Sequence, residues 1–193
     1  MKKVKKIIIY GGAFNPPTKA HQTILKSTVS IAKKIQAEIW LMPSGERPDK
    51  TIAIDIDTRI AMCQALIRSV ASPSVNIHLH TSELVTNTQT NTYETVSQLQ
   101  KKHPFHEFIW LFGADSIMTM PSWPKGQHLI KSLDMLVVPR PGAQLTTLPP
   151  RAQLIDIKTD EMSSTMVRQA IANNKPYKHL LPKEVLRVID LLQ

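Results

Sequence analysis

The stretch "IIIYGGAFNPPTKAH", residues 7–21, joins an apolar run to two glycines, two prolines and a histidine. The apolar run predicts a buried strand over Lys6–Tyr10, and helical periodicity follows from His21 to Lys34. Gly11 and Gly12 fall where the strand ends. A residue without a Cβ lets backbone N–H groups come close to an anion, although a Gly-Gly pair by itself is more typical of a plain turn.

Strand-like and helical patterns alternate along the rest of the chain. The other predicted strands are Ala37–Met42, Val75–His80, Glu107–Phe112, Leu133–Pro139 and Leu154–Lys158. The other predicted helices are 57–70, with Asp57 as its N-cap, Thr92–Lys102, Thr165–Asn173 and Pro182–Leu192. This alternation predicts βαβ units and an α/β, Rossmann-like fold: an open, mainly parallel sheet with helices on both faces. In such sheets, ligands bind at the carboxyl ends of the strands.

The composition is that of a globular protein, with 42% hydrophobic and 20% charged residues in 193. Without a Gly/Ser linker or an internal repeat, we expect one domain over 1–193, with about 160–193 as a C-terminal helical part. The lone Cys63 cannot form an internal disulfide, which favours a reducing compartment. The apolar run after the first lysines is too short for a secretion signal, and no run is long enough to span a membrane. We therefore expect a cytoplasmic protein with no membrane partner.

The formal net charge of +9 predicts an anionic partner. Only 5% of the residues are aromatic, and no basic face is interleaved with Phe or Tyr as a base-stacking surface needs. We therefore expect no nucleic-acid partner and favour phosphorylated metabolites. The glycines belong neither to a G-x-G-x-x-G fingerprint nor to a P-loop, because no G-K-[ST] follows them.

Two motifs carry a resemblance to the nucleotidyltransferase superfamily. The first, "GGAFNPPTKAH" at residues 11–21, is similar to the superfamily's glycine-rich turn followed by F-[DN]-P-x-[HT]-x-G-H. The second, "MSSTMVR" at residues 162–168, resembles I-S-S-T-x-[IV]-R. Both lie at predicted strand-to-helix junctions and occur in the superfamily's order.

The middle of the chain selects a branch of that superfamily. "FIWLFGADSIMTMPSW" (108–123) and "DMLVVPRPG" (134–142) resemble the G-x-D-S…W…R-P-G block of bacterial nicotinate-nucleotide adenylyltransferases. "TNTYETV" (90–96) and "PSGERPDK" (43–50) resemble their S-Y-T-x-x-T and P-x-x-x-P-P-H-K segments. The resemblance implies adenylyl transfer from ATP to nicotinate mononucleotide, giving deamido-NAD and pyrophosphate.

The resemblance also implies roles for individual residues. His21 would be the principal catalytic contact, donating to an α-phosphate oxygen, with Thr18 as a second, hydroxyl contact. The other residues implied to bind ATP are Gly11, Gly12, Ala13, Phe14, Gly113, Asp115, Ser163, Ser164, Thr165 and Arg168. Those implied to bind the mononucleotide are Lys50, Thr92, Asp115, Trp123 and Arg140. Mg²⁺ is expected to bind through ATP phosphates and waters, because the sequence offers no carboxylate cluster as a metal site.

Four residues depart from the pattern of that branch. Thr18 replaces the histidine usual in bacterial relatives, Ala20 replaces a glycine, and Asn91 and Pro124 replace residues that are usually aromatic. The resemblance implies that backbone N–H groups at Thr92 and after the tryptophan receive the nicotinate carboxylate, but Pro124 has no N–H. The departures at Asn91 and Pro124 keep adenylyl transfer to nicotinamide mononucleotide open, and those at Thr18 and Ala20 keep an impaired nucleotide-binding regulator open. Two further alternatives are adenylyl transfer to pantetheine phosphate, whose enzymes share the first and last motifs, and a basic nucleic-acid-binding protein, which the net charge suggests. The sequence also leaves homo-oligomerisation open.

Overall fold

A computed structural model describes residues 4–45, 54–85, 91–140, 142–143, 145–157 and 162–191. Within them, six strands form one sheet in which every neighbouring pair is parallel. The strands are β1 (Lys5–Gly12), β2 (Ala37–Pro43), β3 (Ile77–Leu79), β4 (His106–Gly113), β5 (Asp134–Val138) and β6 (Ala152–Leu154). Their order across the sheet is β3-β2-β1-β4-β5-β6.

Eight α-helices connect and follow the strands within the same described part of the chain. They are α1 (Lys19–Ile35), α2 (Ile56–Arg68), α3 (Ser82–Val85), α4 (Thr92–Lys102), α5 (Ala114–Thr119), α6 (Gly126–Ser132), α7 (Ser164–Ala172) and α8 (Lys183–Asp190). Two short 3₁₀ helices cover Met120–Ser122 and Lys178–Leu180. No helix in this described part is long and apolar enough to cross a membrane.

Apolar clusters lie on both faces of the sheet. Ile8 and Tyr10 of β1 face one cluster, to which α1, α2 and α8 contribute, whereas Ile7 and Ile9 face a second, to which α4, α5 and α6 contribute. The continuous apolar run of β1 therefore belongs to a parallel strand that is buried on both sides. Cys63 lies in the first cluster, and burial raises the pKa of its thiol to about 12. The predicted fold class is confirmed.

The predicted N-cap of α2 is wrong. The helix begins at Ile56, so the capping position falls on Asp55, whose Oδ1 accepts a 2.8 Å hydrogen bond from the backbone N–H of Thr58. Asp57 lies inside the first turn. Either aspartate fits the sequence pattern of a cap, and only the position at which the backbone turns distinguishes them.

The predicted sixth strand is also misplaced, because β6 begins two residues earlier, at Ala152, and ends at Leu154. Arg151 makes two hydrogen bonds to the carboxylate of Asp134, at 3.0 and 2.7 Å, and so aligns the start of β6 with the start of β5. This contact joins two charged residues, so the pattern of apolar residues does not predict it. The short helices α3, α5 and α6 also escaped prediction, because four to seven residues are too few to display helical periodicity.

The order in which the strands are added to the sheet reverses between β1 and β4. β2 and β3 extend from β1 on one side, and β5 and β6 extend from β4 on the other. This is the doubly wound order, in which ligands bind in the crevice beyond the carboxyl ends of the two central strands. Gly12 ends β1 and Gly113 ends β4, so a glycine of the first motif and the glycine of the 108–123 block border that crevice.

Candidate active site

The turn after β1 is built around an aromatic ring. Phe14 is 1% exposed, has a left-handed backbone with φ of 46°, and packs edge-on against Tyr10 with ring centroids 5.3 Å apart. A Cβ on Gly12 would lie 3.3 Å from the Phe14 ring, whereas a Cβ on Gly11 would have only the Met42 carbonyl oxygen nearby, at 3.9 Å. Gly12 therefore makes room for Phe14, and open space for a ligand remains beside Gly11.

His21 lies in the first turn of α1, under the two aromatic rings. Its ring stacks on Tyr10, with centroids 6.4 Å apart, and lies 5.2 Å from the Phe14 ring. Burial, and secondarily the charge of Arg140, lowers the pKa of His21 to about 4. The imidazole is therefore neutral at neutral pH.

The proton of this neutral ring can be assigned from its hydrogen bonds. The backbone N–H of Thr18 donates to Nδ1 of His21 at 3.0 Å. A backbone N–H can only donate, so Nδ1 carries no proton and the ring proton is on Nε2. His21 therefore has one hydrogen-bond donor, Nε2–H, and no positive charge.

The second predicted motif docks on the first. Ser164 Oγ donates to the carbonyl of Pro16 at 2.8 Å, and Arg168 Nη1 donates to the carbonyl of Asn15 at 2.7 Å. Both donors lie on α7, about 150 positions along the chain from their acceptors. The amino-terminal ends of α1 and α7 are thus joined through the 15–16 segment.

The other hydroxyl groups of the second motif contact their own helix. Ser163 is the N-cap of α7, and its Oγ accepts from the backbone N–H of Met166 at 3.2 Å. Thr165 Oγ1 accepts from Arg168 Nη2 at 3.1 Å. The predicted phosphate contacts of Ser163, Ser164 and Thr165 remain predictions.

On the β4 side of the crevice, Asp115 and Arg140 lie over Gly113. Arg140 Nε is 3.8 Å from Asp115 Oδ1. A Cβ on Gly113 would overlap Asp115 Oδ1 and lie 3.3 Å from Arg140 Nε. Arg140 Nε is buried without a hydrogen-bond partner, although Asp115 is exposed. Gly113 thus allows an acidic and a basic group to meet at the end of β4.

The residues predicted to hold the pyridine ring border the second apolar cluster. Thr92 is the first residue of α4, which Asn91 caps by accepting from the Glu94 backbone N–H at 3.1 Å. Trp123 packs edge-on against Phe112, with centroids 6.1 Å apart. Lys50, predicted to bind the mononucleotide, lies outside the described residues.

Two residues of the site were missed in the sequence. Tyr10 reads as the last apolar residue of a strand, but its ring supports both Phe14 and His21. Asn15 is 2% exposed, and its Oδ1 is buried without a partner while its carbonyl receives Arg168. Its place between the glycines and the prolines of the first motif was the available signal.

No group of three or more His, Cys, Asp or Glu residues that could hold a metal ion occurs in the described part of the chain. Besides the Asp115 carboxylate, the site's polar groups are a neutral imidazole donor, two helix amino-terminal ends and two arginine side chains. Such groups bind phosphate oxygens. Together with the doubly wound sheet order, they indicate a protein that binds phosphorylated nucleotides.

The Cytidylyltransferase-like family model matches residues 9–170, which include both motifs. A probable nicotinate-nucleotide adenylyltransferase of Oceanobacillus iheyensis is 32% identical over 187 residues, which are 96% of this chain and 94% of the relative. The nicotinate-nucleotide adenylyltransferase of Bacillus subtilis is 31% identical over 97% of this chain and 96% of its own length. The chain belongs to the cytidylyltransferase-like family, and within it to the nicotinate-nucleotide adenylyltransferases. The resemblance found in the sequence is confirmed.

A solved structure supports the fold separately. The Plasmodium falciparum nicotinic acid mononucleotide adenylyltransferase complexed with NaAD superposes with a TM-score of 0.82, covering 97% of this chain and 96% of its own. The sequence identity of this pair is 24%, so the likeness establishes the shared fold.

Proposed function

We propose that this protein transfers the adenylyl group of ATP to nicotinate mononucleotide, giving deamido-NAD and pyrophosphate. The observation that carries the proposal is the docking of α7 on the 15–16 segment, through Ser164 and Arg168, beside the neutral ring of His21. This contact supports the proposal because it joins the two motifs that we propose bind phosphate, and a reaction between two phosphate compounds needs both at one site.

The chemistry needs alignment and charge stabilisation. The phosphate monoester of the mononucleotide is an anion at neutral pH and attacks the α-phosphorus of ATP without a general base, while pyrophosphate leaves. We propose that Nε2–H of His21 donates to an α-phosphate oxygen as negative charge builds on it in the transition state. A neutral donor suits this role because it stabilises charge without having to be protonated first.

We propose that the remaining site residues divide between the two substrates. Gly11, the α7 amino-terminal end and Arg168 would hold the phosphates of ATP, which enters as its magnesium complex. Asp115 would accept hydrogen bonds from a ribose hydroxyl, and Arg140 would hold phosphate beside it. Trp123 would stack on the pyridine ring, with the α4 amino-terminal end at Thr92 facing the carboxylate.

We further propose that the chain works as one domain, in the cytoplasm. Val185 of α8 lies in the same apolar cluster as Met62 of α2, and α7 is bonded to the first loop, so the C-terminal helices join the rest at two places. The lone cysteine, Cys63, is buried and unpaired, as suits a reducing compartment.

A second acceptor, nicotinamide mononucleotide, is favoured by one observation. Pro124 follows Trp123 at the predicted pyridine site and has no N–H for a carboxylate. One charge-assisted hydrogen bond, of about 1.5–3 kcal/mol, is then missing, which should reduce the preference for acid over amide by about ten- to a hundredfold. Lys125 is adjacent, exposed and positively charged, and would offset part of this loss.

The test is pyrophosphate release from ATP and Mg²⁺ with each acceptor in turn: nicotinate mononucleotide, nicotinamide mononucleotide and pantetheine phosphate. We expect the highest kcat/KM for nicotinate mononucleotide, appreciable use of the amide, and a further fall in acid preference in Lys125→Ala. A higher kcat/KM for either other acceptor would reassign the substrate. Nucleotide binding without pyrophosphate release would identify a regulator, and binding of nucleic acid alone would remove the enzyme proposal.

A further inference from the structure

Thr18 presents two polar groups to one ring nitrogen. It directly precedes α1, and its side chain is buried, with 0% exposure. Its Oγ1 lies 2.8 Å from Nδ1 of His21, the same atom that accepts its backbone N–H at 3.0 Å. The family resemblance implies a phosphate contact for this hydroxyl, whereas the structure places it within hydrogen-bond distance of the imidazole.

The backbone bond fixes the direction of the hydroxyl bond. Because Nδ1 already accepts from a backbone N–H, it carries no proton, and the Thr18 hydroxyl must also donate to it. A hydroxyl has one hydrogen, and a phosphate oxygen in the ionised state only accepts. Thr18 therefore cannot donate to a phosphate while it donates to His21.

We propose that Thr18 is a positioning residue whose hydroxyl holds the His21 ring in the Nε2–H tautomer and in its observed orientation, and that it makes no phosphate contact itself. The inference rests on the proposed adenylyl transfer, since the held ring matters through its donor bond to the α-phosphate. Thr18 would then position His21 and would not act as a second phosphate ligand.

The neighbours of His21 favour the same state of the ring. Tyr10 and Phe14 cover the ring with apolar surface, and the positive charge of Arg140 disfavours an imidazolium. The hydroxyl of Thr18 also favours the neutral ring, because its donor bond engages the Nδ1 lone pair that would otherwise take up a proton. Removal of the hydroxyl should therefore raise the pKa of His21 and loosen the ring.

The first measurement is an NMR titration of the His21 ring nitrogens in the protein without substrates, with His21→Asn used to assign the resonance. Thr18→Val removes the hydroxyl and keeps the shape, and Thr18→Ser keeps the hydroxyl. The matched control is Thr28→Val, which removes another fully buried hydroxyl of α1, one that donates to the Ile24 carbonyl at 2.8 Å. We expect the pKa of His21 to rise by about one unit in Thr18→Val and to stay unchanged in the control.

The second measurement is steady-state kinetics of the same variants. Thr18→Val should lower kcat about 10- to 100-fold through misorientation of the donor, with the KM for ATP changed less than about threefold. Thr18→Ser should recover most of the lost kcat, and Thr28→Val should match the parent even where it lowers Tm. Thr18→Ala supplies a second variant without the hydroxyl if Thr18→Val folds poorly.

Two results would overturn the inference. A large rise in the KM for ATP with an unchanged His21 titration would make Thr18 a phosphate ligand. An unchanged titration together with unchanged kcat would leave the hydroxyl no role in positioning. Because the titration uses no substrate, it tests Thr18 even if the protein proves inactive with every acceptor, an outcome that would count against the proposed function alone.

Discussion

At His21, the structure combines a low pKa with a fixed tautomer, and these two properties select a donor role over a basic one. A ring whose pKa is about 4 cannot act as an imidazolium at neutral pH. Its Nδ1 is engaged by Thr18, so proton abstraction through that atom is excluded as well. The ring's free polar group is Nε2–H, which agrees with the proposed donation to a phosphoryl oxygen that gains charge.

The low pKa of His21 also makes stability depend on pH. In the unfolded chain the ring takes up a proton near its ordinary pKa of 6.5, whereas in the folded protein it does so only near 4. Protonation of the His21 ring therefore has no effect on the free energy of unfolding above about pH 6.5. Below that pH it lowers the free energy of unfolding by about 1.4 kcal/mol per pH unit, down to about pH 4. Denaturant unfolding of the parent and His21→Asn at several pH values measures it.

The quantity to compare at each pH is the difference in the free energy of unfolding between the parent and His21→Asn. His80 and His103, whose pKa values burial also lowers, titrate in both proteins, so their contributions cancel. We expect the stability advantage of the parent over His21→Asn to shrink steadily from pH 6.5 to 4. An advantage that stays constant over this range would show that the ring takes up its proton equally in the folded and unfolded states.

At the scale of elements, α7 has a double task. Its amino-terminal end is proposed to bind the ATP phosphates, and its side chains Ser164 and Arg168 hold the backbone of the 15–16 segment. The helix that would bind the ATP phosphates thus also shapes the loop that leads into α1. Substitutions in α7 should therefore change the KM for ATP more than the KM for the mononucleotide, which is proposed to bind beside β4.

Arg168→Ala removes a charge-assisted bond to Asn15 and a positive group from the ATP side of the crevice. We expect the KM for ATP to rise about 10- to 100-fold and the KM for nicotinate mononucleotide to change by less than about threefold. Gln169→Ala, an exposed neighbour on the same helix, is the matched control and should leave both values near those of the parent. Equal effects of Arg168→Ala on both substrates would place Arg168 away from ATP.

At the scale of the whole molecule, the net charge of +9 should favour the approach of two polyanionic substrates. Because salt screens exposed charges, we expect kcat/KM for ATP to fall at least about threefold between about 50 and 500 mM KCl, while kcat changes little. An equal osmolarity of sucrose is the control. A kcat/KM that does not depend on salt would assign recognition to short-range contacts alone.

The sequence predicts the molecule well where structure depends on local pattern. The order of strands and helices follows from periodicity, and the candidate site residues come from the two motifs, the 108–123 and 134–142 blocks and the resemblance that they carry. Contacts between distant segments were not predictable: neither the Arg151–Asp134 pair that places β6 nor the Arg168–Asn15 bond follows from a local pattern, although Arg168 and Asn15 each lie in a motif. The direction of the Thr18–His21 bond likewise required atomic positions, because spacing shows proximity and not which atom donates.

The position of β1 at the centre of the sheet has a consequence for biosynthesis. β1 leaves the ribosome before either of its neighbours, yet it pairs with β2 on one side and with β4 on the other. Until residues 106–113 have emerged, one edge of an apolar strand lacks a partner, and such edges recruit other chains. Polypeptides arrested before β4 would therefore expose an unpaired apolar strand edge, to which chaperones and proteases could bind early in the synthesis of this protein.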